Sequence, residues 1–328
     1  MVKSVKLYKG IIMKKSLLKI VVLFCVSNSY LYSNTHRFTV ENDGFVSKDD
    51  SYYTGGVFYT WMGDSDNSYD FNFMNDLKTN NAISFTHLVF TPQDKDEITP
   101  IYDDTPYAGY AKLNFLLYKS TQNYFHEFAV NIGAVGPMAK AKQLQSGVHD
   151  LIGHDKPAGW DNQLSNQVTA GISYNFAKKT DKIDIGKFKF DWTNNVKIDV
   201  GNFYSGVMIS TTARIGSNFP NTFATTGSFM GADESSLVNY DGIKSFNWAV
   251  SLGLYANKIG NYYIIEEARD QGYDIPKANY ITGEQVSYDI FYNNIQYTFK
   301  ITSTYLHNNK AFSSANKQWG GLTIVWKF

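Results

Sequence analysis

The chain has 328 residues, with 30 Lys+Arg against 30 Asp+Glu, 43% hydrophobic, 18% charged and 16% aromatic residues, and a mean hydropathy of −0.30. So many aromatics exclude a disordered chain. Beyond the N-terminus no run approaches the ~20 apolar residues of a membrane-spanning helix, and seven Pro with one Cys exclude collagen-like and disulfide-stapled classes. A polar average with many aromatics suits a soluble β-protein or a transmembrane β-barrel.

The first 33 residues favour export. Lys3, Lys6, Lys9, Lys14, Lys15 and Lys19 precede an apolar stretch from Ile20 to Val26, then Ser27, Ser29 and Ser33, and no acidic residue occurs before Glu41. That basic, apolar, small-residue order reads as a secretory signal cleaved near 29–33. Residues 34–328 are then one domain, in which 24 basic side chains face 30 acidic ones. A net charge of that sign carries no electrostatic footprint for nucleic acid.

Alternating or β-rich segments follow in chain order at 36–42, 54–63, 81–91, 110–120, 123–133, 166–177, 187–201, 204–216, 245–257, 281–292, 294–306 and 318–328. Val168-Ala170-Ile172-Tyr174-Phe176 and Trp248-Val250-Leu252-Leu254 alternate most clearly. The last segment alternates Leu322, Ile324, Trp326 and Phe328 and stops on an aromatic, which resembles the C-terminal signal of outer-membrane barrels. The expectation is an all-β, antiparallel up-and-down barrel of about twelve strands in the bacterial outer membrane, because only closure removes unpaired edges in hydrocarbon. Tyr262 to Glu267 reads either as a loop helix or as a strand extension.

Parity arranges the connections. If both termini are periplasmic, those after odd strands face outside, which places 43–53, 91–109 and 134–165 on one outer rim. The short links Ser120-Thr121-Gln122 and Asn293-Asn294 fall on the periplasmic side, as such turns usually do. The long connections 64–80 and 217–244 fall there as well and do not fit the pattern.

The three outer connections hold the chemical residues. The first reads Glu41-Asn42-Asp43-Gly44-Phe45, then Asp49-Asp50-Ser51-Tyr52-Tyr53-Thr54-Gly55-Gly56. The second has Thr91-Pro92-Gln93 and Asp103-Asp104-Thr105-Pro106-Tyr107-Ala108-Gly109-Tyr110. The third has Gly133-Ala134-Val135-Gly136-Pro137, Gln143-Leu144-Gln145-Ser146-Gly147-Val148-His149 and Ala158-Gly159-Trp160-Asp161-Asn162-Gln163. In this order the blocks resemble those of the outer-membrane lipid A 3′-O-deacylases of the LpxR type, densely over 40–175 and thinly afterwards.

That resemblance implies hydrolysis of the ester holding the 3′ acyloxyacyl chain on lipid A of lipopolysaccharide, with Ca²⁺ required. By motif it places functional roles on Asn42, Thr54, Gln145, His149 and Asp155, and metal ligation on Asp43 and Asn42. A basic residue expected in the second loop has Lys95 as its nearest counterpart, amid Asp94, Asp96 and Glu97. Lipid A and outer-membrane lipids are the expected partners, a monomer the expected state, and the outer-leaflet rim the expected place of the site.

The residues support such chemistry on their own terms. Histidine titrates near working pH and suits a general base. Gln145 lies four residues before His149, so one helical turn puts both on one face. Asn42 and Asp43 offer the hard oxygens that Ca²⁺ prefers, although Asn-Asp-Gly is equally a turn sequence. Thr54 suits a water or substrate contact or a strand cap; Asp155 suits orientation of His149, a lipid A contact or a surface charge. Trp160 and Tyr107 read as headgroup anchors or loop packing. Three rival readings stay open: a Ser146–His149 pair as in barrel phospholipases, a transition-metal site at His149, Asp150, His154 and Asp155, and a passive porin or adhesin.

Overall fold

The computed structural model describes residues 34–46, 53–63, 74–226, 234–277, 279–307 and 316–327. The signal segment 1–33, Asp49, Asp50 and Phe328 lie outside the described residues.

Thirteen strands form one antiparallel sheet: β1 Thr35–Asn42, β2 Gly55–Met62, β3 Lys78–Phe90, β4 Ala108–Ser120, β5 Tyr124–Val135, β6 Gln167–Lys179, β7 Ile183–Ile185, β8 Phe188–Gly201, β9 Tyr204–Gly216, β10 Asn247–Tyr262, β11 Tyr280–Tyr292, β12 Ile295–His307 and β13 Asn316–Lys327. Twelve of them match the segments read from the sequence and close a barrel. β1 pairs with β13, and β6 pairs with β8, so the twelve wall strands close into a ring. The thirteenth, β7, is a three-residue hairpin arm on β8, too short for its alternation to register in sequence.

Period two decides which face meets what. On β10, Leu252 and Leu254 are 53% and 51% exposed, whereas Ser251 and Tyr255 are 5% and 4% exposed. Ile83, Phe115, Val130, Ile172, Val200, Ile209, Phe299 and Ile301 extend this apolar outer wall around the barrel. Left in water, each such side chain would forgo about 1.5–3 kcal/mol of burial, so the wall calls for lipid.

Alternate strands run in opposite directions, so the connections sort onto two rims. Among the described residues, the upper rim carries 43–46, 53–54, 91–107, 136–166, 202–203 and 263–277; the lower carries 74–77, 121–123, 180–187, 217–226, 234–246 and 293–294. Asn293 and Asn294 both adopt positive φ (53° and 61°), the pair of left-handed residues that a two-residue hairpin turn requires.

Both ends of the lumen are filled. At the lower end, residues 217–226 and 234–246 fold inward: Phe223, Leu237, Val238 and Tyr240 pack against Met62, Leu116, Phe125 and Val325 of the wall. Arg214 of β9 holds this segment by donating to the Thr222 carbonyl (2.8 Å) and hydroxyl (3.0 Å), while its guanidinium makes a bidentate pair with Asp191 of β8 (2.6 and 3.0 Å). Arg37 of β1 reaches Ser236 from the opposite side of the barrel. The unexpectedly long lower connection is thus a lumen plug.

At the upper end β10 runs to Tyr262, and the chain turns into helix α2, Tyr263–Asp270 (helix α1 is Ala141–Ile152), so Tyr262 to Glu267 supplies both the extension and the helix. Ile264, Ile265 and Ala268 of α2 pack with Tyr53, Phe58, Phe90, Tyr255 and Trp319 across the mouth.

Candidate active site

Asn42, Asp43, Thr54, Gln145, His149 and Asp155 all lie on the upper rim. β1 ends at Asn42, and Asp43–Phe45 makes a single 3₁₀ turn whose N-cap is Asn42. Asn42 Oδ1 accepts from the Gly44 amide at 2.8 Å, and its Nδ2 donates to the Thr54 carbonyl at 3.1 Å. The Asp43 amide donates to that same carbonyl (3.1 Å), and Asp43 Oδ1 accepts from Gly44 N (2.7 Å). The turn chemistry of Asn-Asp-Gly is therefore used, and it closes the base of the 43–54 loop. Asp43 is 2% exposed. Thr54 is buried just before β2, its hydroxyl 2.7 Å from the Thr91 hydroxyl and its amide bound to Val89 O at 3.0 Å.

Beneath this turn lies a buried charge. Glu41 accepts from the Tyr53 hydroxyl at 2.7 Å and is ion-paired with Lys300 Nζ. Burial and the Glu41 carboxylate push the Tyr53 phenol well above its ordinary range, so it remains a donor.

The third connection supplies helix α1, which the Gln145–His149 spacing anticipates. Ala141 fits because Gly109 of β4 has no side chain: a Cβ there would stand 2.4 Å from the Ala141 Cβ. Gln145 is buried and accepts from the Trp160 indole at 2.7 Å. His149 is half-buried, and its Nδ1–H donates to the main-chain oxygen of Asp155 at 2.5 Å. A carbonyl only accepts, so Nδ1 is the donor of this bond, and in the neutral ring the lone pair then lies on Nε2. Asp155 acts on His149 through its backbone, and its carboxylate is exposed.

The two groups are joined through β3. Val89, which binds Thr54, packs with Tyr107, Ala141 and Trp160, and Trp160 holds Gln145. Trp160 is 1% exposed and Tyr107 5%, so these aromatics are loop packing rather than headgroup anchors. Burial raises the Tyr107 phenol to about 12, and its hydroxyl donates to Lys95 O (3.2 Å). The Ala158 amide binds that same oxygen at 2.8 Å, so Lys95 ties the second loop to the third by its main chain.

Ser146 makes no hydrogen bond to His149 among the described residues. The His149 and His154 rings meet edge-on at 5.9 Å, and no group of three or more His, Cys, Asp or Glu side chains converges among the described residues. The oxygens of this turn are the Asp43 carboxylate, the Asn42 amide oxygen with a second lone pair, and the Thr54 carbonyl. That hard set fits calcium, which draws much of its shell from carbonyls and water.

Comparison with known proteins decides the lineage. The model of the family described as "Outer membrane protein LpxR" matches residues 16–328. The chain belongs to the LpxR family. LpxR from Salmonella typhimurium shares this fold at a TM-score of 0.71 and 15% identity, over 90% of this chain and 100% of that one. The KdgM porin (TM-score 0.39, 6% identity, 90% and 99% covered) and the beta domain of the Bordetella autotransporter BrkA (0.44, 8%, 90% and 99%) are more distant. No curated protein matches. The LpxR family is the one the outer-loop blocks resemble: lipid A deacylases located in the outer membrane.

Glu41, Tyr53 and Thr91 stand in the sequence blocks without a role of their own, and Lys300 stands in none of them. Thr91 opens the second block and could have been flagged by its place opposite Thr54. Lys300 lies in a strand with no motif at all.

Proposed function

We propose that the protein hydrolyses the ester linking the 3′ acyloxyacyl chain to lipid A, at the outer-leaflet rim, acting as a monomer after removal of residues 1–33. The observation that carries this reading is the bond from His149 Nδ1–H to Asp155 O, which engages Nδ1 and leaves Nε2 as the ring nitrogen to serve as the base. His149 Nε2 takes a proton from water as the water oxygen attacks the ester carbonyl. The bond between the acyl carbon and the sugar 3′ oxygen then breaks, and the imidazolium returns its proton to that departing oxygen. The products are an acyloxyacyl fatty acid and a free 3′ hydroxyl. Asp43 and Asn42 would hold calcium, which supplies Lewis-acid stabilisation of the developing oxyanion. Gln145 orients the reacting groups from the face it shares with His149, and Thr54 positions water or substrate.

The packing of the lumen favours an enzyme over a passive porin, since among the described residues the plug and α2 pack at its two ends. Mass spectrometry of lipid A from cells expressing the protein tests the reading. Wild type should remove one acyloxyacyl chain, and His149→Ala and Asp43→Ala should each abolish that loss while folding persists. Intact lipid A with the wild type would refute the activity, and unchanged deacylation by either variant would refute that residue's role. Glycerophospholipids cleaved in place of lipid A would instead identify a phospholipase.

A further inference from the structure

We infer that Glu41, Tyr53 and Lys300 form a positioning network that sets the geometry of the oxygen ligands at Asn42 and Asp43. The inference rests on the calcium reading above. Glu41 and Lys300 stand on different strands, β1 and β12, separated by β13. Both are in register with Gly321 of β13, so the three residues form one row across the barrel wall. The glycine makes the crossing possible: a Cβ at Gly321 would lie 2.6 Å from Lys300 Cε and 2.8 Å from its Cγ. Lys300 therefore lies over Gly321 to reach a carboxylate that is 2% exposed.

What the network ties together shows its purpose. Glu41 precedes Asn42, and Tyr53 precedes Thr54. The Glu41–Tyr53 bond thus lies one residue below the bonds from Asn42 Nδ2 and the Asp43 amide to Thr54 O. The Tyr53 ring is held edge-on to Trp319 (5.2 Å) and tilted on Phe90 (5.9 Å). On the other side of the turn, Phe45 occupies space that Gly320 leaves open. Both ends of the ligand-bearing loop are anchored to the wall. A buried ion pair adds little stability over well-packed apolar residues, so its value here is orientation. Partners that hold metal ligands in place typically change metal affinity by 10–100-fold when removed.

Calorimetric titration of Ca²⁺ into the full-length protein in detergent tests this. Tyr53→Phe keeps the ring and deletes the hydroxyl, and should weaken the Kd for calcium by about 10-fold or more with an unchanged thermal midpoint. Lys300→Met leaves Glu41 uncompensated and should weaken it further. The double variant Glu41→Gln with Lys300→Met restores neutrality and keeps an acceptor for Tyr53, so its Kd should return toward the wild-type value. If Lys300→Met does not fold, Tyr53→Phe alone decides. Wild-type affinity in Tyr53→Phe overturns the positioning role while leaving the calcium reading intact, as does failure of the double variant to recover. A wild type that binds no calcium overturns both.

Discussion

The indole N–H of Trp160 donates to Oε1 of Gln145 at 2.7 Å, and this one bond fixes the orientation of the amide. An indole can only donate, so the acceptor end of Gln145 is occupied and its NH₂ points away. Among the described residues, Nε2 has no hydrogen-bond partner although it is buried. A buried donor without an acceptor costs about 1–3 kcal/mol, which makes an incoming oxygen, from water or ester, its natural complement.

Trp160→Phe should therefore lower kcat for lipid A deacylation by about 10–100-fold while the ring keeps its contact with Tyr107, now at 5.0 Å. In a Gln145→Ala background the same substitution should have little further effect, because residues acting through one another are non-additive. Fully additive losses would mean that Trp160 acts by packing alone. The measurement is deacylation rate in mixed micelles for the four forms of the cycle.

Removal of calcium should abolish activity reversibly. EGTA should eliminate deacylation, Ca²⁺ should restore it, and Zn²⁺ should not, because the donors around Asp43 are oxygens. Asp43→Asn keeps the side-chain shape and loses the charge, so its calcium requirement should rise at least about 10-fold. Restoration by Zn²⁺ alone would transfer attention to the His149–His154 pair.

The plug makes an electrical prediction. Wild-type protein in a planar bilayer should show no steady conductance, since residues 221–226 and 236 are bonded to inward residues of β1, β6 and β9. Replacing 218–245 with a short Gly-Ser turn should open an ion-conducting pore. A wild type that conducts steadily would revive the porin reading.

The twelve wall strands, their order and the sorting of loops to two rims were determined by sequence, because a strand with one face in lipid must alternate and its turns must punctuate. The helical turn bearing Gln145 and His149 was determined in the same way, since i and i+4 are local neighbours. Only the tertiary structure decided what fills the barrel. Lys300 finds Glu41 across Gly321, Trp160 finds Gln145, and Arg214 grips Thr222 through contacts that follow sheet closure and not chain order. Lumen residues face neighbours on strands far away in sequence, so no period or motif announces their partners. The pairing appears only once the wall has curved round and brought them face to face.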